Sequence, residues 1–333
     1  MSISRRGFIG SAALAGVTTG QAATTGTKQT LPKRALGKTG AKVSILAFGC
    51  GSRFLMYREE DKAVEAVHRA LDMGITYLDT AFAYGNGLSE TRVGMVMATR
   101  RKEVFLATKM QERNGEKVQR IIEASLKRMQ TDQLDLIHIH ELKSEEDLAN
   151  IEAKDGILNT LLKLRDQKVT RFIGITCHYD PTVLKTALER HDFDCVQMAL
   201  NGALVGMKSG KNAEGKSAMI INPEMKTSFE TVALPVAHKK NMGIIAMKVM
   251  AADGLAGQAT AEKLLYYALS LPISTASVGM PTLDFIEQNT KSARAFTPMA
   301  HDEMKGMSET LSSKNKMALD HYFQHHSDEF AAV

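Results

Sequence analysis

The sequence predicts one (β/α)8 TIM barrel, preceded by a β-hairpin and followed by a helical tail. Three observations predict it. Eight short apolar strands alternate in order with helical segments, their connections are short, and polar and ionisable residues gather at the strands' carboxyl ends. A closed parallel barrel buries its sheet on both faces, so its strands read as apolar runs, and all their C-termini share one end. An open doubly wound sheet is disfavoured because no G-x-G-x-x-G follows the first strand. Gly49-Cys50-Gly51 continues there into Ser52-Arg53-Phe54.

Leu31 to Val43, with Gly37 and Gly40, is expected to form the hairpin, and Val43 to Gly49 strand one. Asp61 to Met73 is an amphipathic helix with Ala63, Val64, Val67, Ala70 and Leu71 on one face. Tyr77 to Ala81 is strand two. Gly85 and Gly87 then mark a loop, and Ser89 is placed to cap a helix from Glu90 to Met97. Val104 to Lys109 is strand three, followed by a helix from Glu116 to Met129 with Val118, Ile121, Ile122, Ala124 and Leu126 apolar. Leu134 to His140 is strand four, and Glu145 to Gln167 is helical around Leu158, Leu161, Leu162 and Leu164. Phe172 to Thr176 is strand five. Asp180-Pro181 opens the next helix, which runs to Arg190 with proline in its first turn, where a missing N–H is tolerated. Cys195 to Leu200 is strand six. A long Gly- and Lys-rich excursion from Asn201 to about Lys226, expected to be a solvated loop, precedes a helix ending at Lys240. Gly243 to Lys248 is strand seven and Thr260 to Leu271 its helix, stopped by Pro272. Thr275 to Gly279 is strand eight, Leu283 to Ala293 its helix, and Ala300 to about Gln324 the tail.

Composition narrows the class. The chain is 44% hydrophobic and 24% charged, the profile of a soluble globular enzyme. Its formal net charge of +5 is interspersed, with no long Lys/Arg run, which argues against a nucleic-acid surface. The 19 methionines read as core filling. Cys50, Cys177 and Cys195 have no C-x-x-C spacing, which disfavours a metal site or a disulfide framework, and they read as buried structural thiols.

Asp79 ends strand two, Tyr84 lies five residues on, Lys109 ends strand three and His140 ends strand four. A buried strand that finishes in a charge must aim it at a partner or a pocket. On a barrel these ends converge on Tyr84. His138 shares the parity of His140 one layer deeper and is expected to be a hydrogen-bonded core histidine.

From residue 31 to residue 295 the chain resembles the aldo-keto reductases. The resemblance rests on Leu36-Gly37-Lys38-Thr39-Gly40 with Val43-Ser44, and on Gly74-Ile75-Thr76-Tyr77-Leu78-Asp79-Thr80-Ala81 with Tyr84-Gly85 and Ser89-Glu90. Thr108-Lys109 and Asp135-Leu136-Ile137-His138-Ile139-His140 complete it. It implies an NADP(H)-dependent reductase of a small-molecule carbonyl, with NAD(H) as the other candidate cofactor. Tyr84 is implied as general acid, Lys109 as the charge that lowers the phenol's pKa from about 10, Asp79 as the group holding Lys109, and His140 as the group orienting the carbonyl. For the cofactor, Gln197, Thr176 and Cys177 are implied for the nicotinamide amide, with a thiol at Cys177 where the family has an amide. Met247 is implied as an apolar face and Lys248 as a phosphate contact. Gly279 and Met280 lead to Gln288 and Asn289 for the adenine, while Phe285 replaces the arginine that often meets the 2′-phosphate. Thr282 is equally suited to capping its helix.

The N-terminus resembles a twin-arginine (Tat) signal peptide over residues 1–23. Ser4-Arg5-Arg6-Gly7-Phe8-Ile9-Gly10 enters a short apolar segment ending near Val17, with small residues around Gly20 to Ala23. The segment is too short to span a membrane. It implies engagement with the Tat export machinery and a periplasmic or secreted barrel domain over 31–333. Loops at Gly51 to Glu59, Glu141 to Ile157 and Asn201 to Lys226, with the tail, are placed to choose the substrate. Of these, the polar, Lys-rich Asn201 insertion would suit a polar or sugar-like carbonyl if it is more than a solvated loop. Two other functions fit the barrel: a cofactor-binding redox sensor or partner subunit with little turnover, and a Schiff-base aldolase using Lys109. Asp79 counts against the aldolase because it keeps the amine protonated.

Overall fold

Two short antiparallel strands, β1 (Lys33–Ala35) and β2 (Lys42–Ser44), form the expected hairpin. In this computed structural model residues 30–211, 217–222, 225–251, 254–255 and 257–312 are described. The expected export signal, residues 1–23, and the tail after residue 312 lie outside them. Strand one is shorter than expected. Val43 and Ser44 belong to the hairpin, and only β3 (Leu46–Gly49) joins the barrel. The physical reason is a reciprocal pair, Ser44 N–H to Thr76 Oγ1 and Thr76 N–H to Ser44 Oγ, each 2.9 Å, which ties the chain off before it reaches the sheet.

The chain then runs α1 (Glu60–Asp72), β4 (Tyr77–Asp79), α2 (Leu88–Arg100), β5 (Phe105–Met110), α3 (Gly115–Arg128) and β6 (Leu134–Ile139). The material expected as one helical stretch is two helices, α4 (Glu145–Glu152) and α5 (Ile157–Asp166), turned at Gly156. A Cβ there would stand 2.6–2.8 Å from three carbonyl oxygens of the preceding turn. Next come β7 (Thr170–Cys177), α6 (Pro181–Arg190) and β8 (Cys195–Ala199). The excursion expected as a solvated loop contains an antiparallel pair, β9 (Met207–Lys211) with β10 (Ser217–Ile221). Two short helices, α7 (Phe229–Val232) and α8 (Leu234–Lys239), replace the single helix expected before Lys240, because Pro235 sits in the first turn of the second. The rest is β11 (Gly243–Met247), α9 (Ala261–Ser270), β12 (Thr275–Val278), α10 (Leu283–Ala295) and α11 (His301–Leu311).

Eight parallel strands close the barrel in the order β3-β4-β5-β6-β7-β8-β11-β12, with β12 returning to β3 through Ala276 opposite Leu46. The helices form the outer layer. Outward residues such as Phe48, Leu106, Ile137, Ile175 and Met198 pack beneath them in one buried cluster. The barrel's lower interior holds a second cluster of Ala47, Tyr77, Phe105, Ala107, Leu136, Cys195 and Ile245, capped by Leu36 and Val43 of the hairpin. Tyr77, Phe105 and Phe172 stack there at 5.2 and 6.2 Å. Gly37 (φ 52°) lets the hairpin press on the start of β11; a Cβ would stand 2.2 Å from the Met242 carbonyl carbon. A cleft of about 380 Å³ lies beside the hairpin, far from the strand C-termini. Its Arg34 already donates to the carbonyls of Ile273 and Leu269. Among the described residues, no helix is long and apolar enough to cross a membrane, and no cluster of ligands could hold a metal ion.

Candidate active site

Side chains alternate along β4, so Tyr77 and Asp79 face the barrel interior and Leu78 faces the helices. Asp79 is buried, and three groups converge on it. Its Oδ1 lies 2.7 Å from Lys109 Nζ, and its Oδ2 accepts from Gln197 Nε2 (2.7 Å) and Ser277 Oγ (2.9 Å). Lys109, on β5, is almost wholly enclosed. It donates to the Thr80 carbonyl at 2.8 Å, reaches the Tyr84 hydroxyl at 3.4 Å and stands 4.8 Å from that ring's centroid. His140 follows β6 and meets Tyr84 edge to face, ring centroids 5.8 Å apart. The four residues expected to do the chemistry are thus brought together at the C-terminal end of the barrel.

Their protonation follows from burial and neighbours. Burial works against the Lys109 ammonium, but the attraction of Asp79 and Tyr84 outweighs it and holds the amine's pKa above its ordinary value. Burial pushes the Tyr84 phenol up. Lys109 pulls it back only in part, with Asp79 opposing, so the net shift is above 10. This corrects the expected lowering: burial outweighs the pull of the lysine, so the enclosed phenol resists ionising even beside it. Burial, then Lys109, push the His140 imidazole well below 6.5, leaving it neutral. His138 is likewise pushed down, to about 3, by burial. It is a core residue, but not a hydrogen-bonded one. Neither ring nitrogen has a partner among the described residues, and the ring fills the space where Gly174 lacks a side chain.

The loop carrying Tyr84 is fastened from below. Helix α2 starts at Leu88 with Gly87 (φ 93°) as its N-cap, so Ser89 does not cap it. Ser89 Oγ instead donates to the Cys50 carbonyl (2.7 Å) and pairs with Thr80 Oγ1. Glu90 is fully buried and accepts from Thr108 Oγ1, Ser125 Oγ and Arg128 at 2.7–2.9 Å. The Arg128 guanidinium also lies 5.1 Å from the Phe82 ring and beneath Gly87. Sequence reasoning missed Ser125, Arg128 and Ser277. Only Ser277 left a signal, sharing the inward parity of Gly279 on strand eight.

The residues expected to meet a cofactor divide. Gln197 faces inward. Its Nε2 is held by Asp79, while its buried Oε1 has no partner among the described residues. Thr176 also faces inward, but its hydroxyl accepts from the Glu141 N–H at 2.8 Å. Cys177 points the other way: its thiol donates to the carbonyls of Leu142 and Asp180, and burial pushes its pKa up to about 12. Met280 is also on the outward parity and packs wholly in the core. Met247 ends β11 half-buried, and Lys248 follows at φ 58°, its pKa lowered by burial against the pull of Glu141. Gly279 sits at the mouth under Arg53; a Cβ there would stand 2.8 Å from Arg53 Cβ. On α10, Gln288 is exposed, whereas Asn289 is buried and donates to the Phe285 carbonyl. Thr282 caps that helix, accepting from the Phe285 N–H.

A family model described as the aldo/keto reductase family matches residues 46–268. Among curated relatives, L-galactose dehydrogenase of Arabidopsis thaliana is 37% identical over 155 residues, 43% of this chain and 47% of that one. The uncharacterized oxidoreductase YqkF of Bacillus subtilis is 29% identical over 178 residues, 50% and 55% of the two chains. The chain therefore spans about half the length of these curated relatives. Two solved structures share the fold at TM-score 0.65. One is an aldo-keto reductase from Bacillus halodurans in its holo form (22% identity, 84% of this chain and 96% of that one), and the other is an aldo-keto reductase from Klebsiella pneumoniae in complex with NADPH (20%, 84% and 95%).

Proposed function

Because the chain belongs to the aldo/keto reductase family, we propose that it is an NADP(H)-dependent oxidoreductase that reduces an aldehyde or ketone to an alcohol, with Tyr84 as general acid. The observation that carries this reading is the enclosed sequence Asp79–Lys109–Tyr84 with a neutral His140 against the phenol. Bound nicotinamide would supply the hydride. The buried Gln197 Oε1, unpartnered among the described residues, would accept from its carboxamide; Met247 and Gly279 would offer it an apolar border, and Lys248 would be the residue to meet its phosphates. NADP(H) is supported by the NADPH held by the Klebsiella protein. NAD(H) is the alternative, since Phe285 brings no positive charge to the start of α10.

The chain's own residues handle the proton. Tyr84 gives its phenolic proton to the carbonyl oxygen, and Lys109 stabilises the phenolate left behind. Asp79, itself held by Gln197 and Ser277, keeps the ammonium charged and in place. Neutral His140 presents one ring N–H to orient the carbonyl. With the phenol protonated and His140 uncharged, kcat/KM for NADPH-driven reduction should be flat between about pH 6 and pH 9. A bell centred in that window, or no reduction of any carbonyl in a panel, would overturn the reading.

The likeness to L-galactose dehydrogenase and the polar loops at the mouth support a polar, sugar-like carbonyl as substrate. A redox sensor or partner subunit with little turnover has less support, because Asp79, Lys109, Tyr84 and His140 stand together as a reductase would need them. All three cysteines are buried, with thiols pushed up by desolvation. We also propose export by the Tat machinery, on the strength of Arg5 and Arg6 before the apolar segment. Replacing both with Lys should retain the full chain in the cytoplasm by fractionation; unchanged export would refute it.

A further inference from the structure

We propose that Glu141 and His178 form a hydroxyl-accepting subsite beside His140, which selects carbonyl substrates carrying a neighbouring hydroxyl, such as hydroxyaldehydes and sugars. The proposal rests on the reductase reading and names its substrate class.

Glu141 directly follows His140 and stands at φ 61°, a left-handed conformation that a residue with a side chain adopts only under constraint. The constraint is visible. Its N–H donates to Thr176 Oγ1, and its carbonyl accepts from Arg113 Nη2 at 3.3 Å. Arg113 is itself gripped by both carboxylate oxygens of Asp147 and donates to the His140 carbonyl. The Glu141 side chain, two residues past β6, is held by three neighbours. Its Oε2 accepts from Gln111 Nε2 at 2.9 Å and lies 3.4 Å from Lys143 Nζ; its Oε1 lies 3.5 Å from His178 Nε2.

His178 follows β7 and is 94% buried by the measure of its 6% exposure. Its Nδ1 is 3.3 Å from the Met207 carbonyl oxygen. A carbonyl can only accept, so Nδ1 carries the ring proton and Nε2 of the neutral ring is a bare lone pair. Burial, with Lys248 adding to it and Glu141 opposing, keeps this ring neutral. Two acceptors, a carboxylate oxygen and an imidazole nitrogen, therefore face each other with no proton between them. Such a pair calls for a donor. The nearby positive charges of Arg113, Lys109, Lys143 and Lys248 disfavour a cationic ligand, which leaves a neutral O–H. The β9–β10 pair fastens this wall, since Met207 N–H donates to the His178 carbonyl and Asn222 to that of Tyr179. Tyr179 stacks on the His178 ring at 5.2 Å.

The test compares glyceraldehyde with propanal, which differ in the hydroxyls next to the aldehyde, on the full-length protein with NADPH. In Glu141→Gln an amide N–H fills the gap and donates to His178 in the hydroxyl's place. The glyceraldehyde/propanal ratio of kcat/KM should fall about 10- to 100-fold, mainly through KM for glyceraldehyde. His178→Asn should lower the same ratio. A ratio within one preparation is insensitive to the fraction folded. If wild type reduces both aldehydes without preference, or both variants lower the two alike, the subsite is wrong and the reductase reading stands. If wild type reduces neither of these nor any carbonyl of the wider panel, the reductase reading fails and the subsite falls with it; if it reduces others of the panel but not glyceraldehyde, the subsite alone is wrong.

Discussion

Tyr84→Phe should lower kcat for carbonyl reduction by roughly 10²–10⁴-fold while NADPH still quenches or enhances fluorescence with an unchanged Kd. The substitution removes one oxygen and leaves the ring, so the face presented to Lys109 and the edge contact with His140 persist. Lys109 retains the Thr80 carbonyl and Asp79, and its charge stays satisfied. What disappears is the only donor of the site that is held protonated by burial and also sits against a cation able to stabilise its conjugate base. His140 cannot replace it. Its imidazole stays neutral, and a neutral imidazole gives up a ring proton far less readily than a phenol does. Turnover within about tenfold of wild type would mean that the proton comes from elsewhere.

Arg128→Ala should cost about 3–5 kcal/mol of unfolding free energy, read as a lower urea midpoint at unchanged slope. Glu90 is fully buried, and Arg128 supplies its only cation among the described residues, at 2.8 Å. Removing the guanidinium strands a carboxylate with two hydroxyl donors, Thr108 and Ser125. The double variant Glu90→Gln with Arg128→Met should recover most of the loss, because neither partner is then a buried ion. A loss below about 1 kcal/mol in Arg128→Ala would show that the pair is not the fastening it looks. The same variant should also reduce activity, since Arg128 packs on Phe82 and under Gly87, either side of Tyr84.

The strand order and the cluster of Asp79, Lys109 and His140 around Tyr84 were legible because both are written locally. Short apolar runs mark the strands, and the ionisable residues at the ends of strands two, three and four are visible without any partner. What was not legible depended on which distant groups share a space. Ser277 meets Asp79 across 198 positions, and Arg128 meets Glu90 across 38. The sign of the Tyr84 shift needed the enclosure itself, which no residue type announces. Cys177 and Met280 followed from the resemblance, yet strand parity turns both toward the helices. The excursion after strand six looked like solvated loop because its lysines and glycines mask an alternation weak enough to be lost in composition.

The hairpin under the barrel closes the chamber from below. Among the described residues, Leu36 and Val43 close the lower interior over a layer of aliphatic and aromatic side chains, an apolar packing that disfavours passage of a proton from beneath. On the proposed reading, the proton that Tyr84 donates would return from the side where substrate enters. A product still seated in that opening would then delay the acid's recharging, so on this reading release comes before reprotonation.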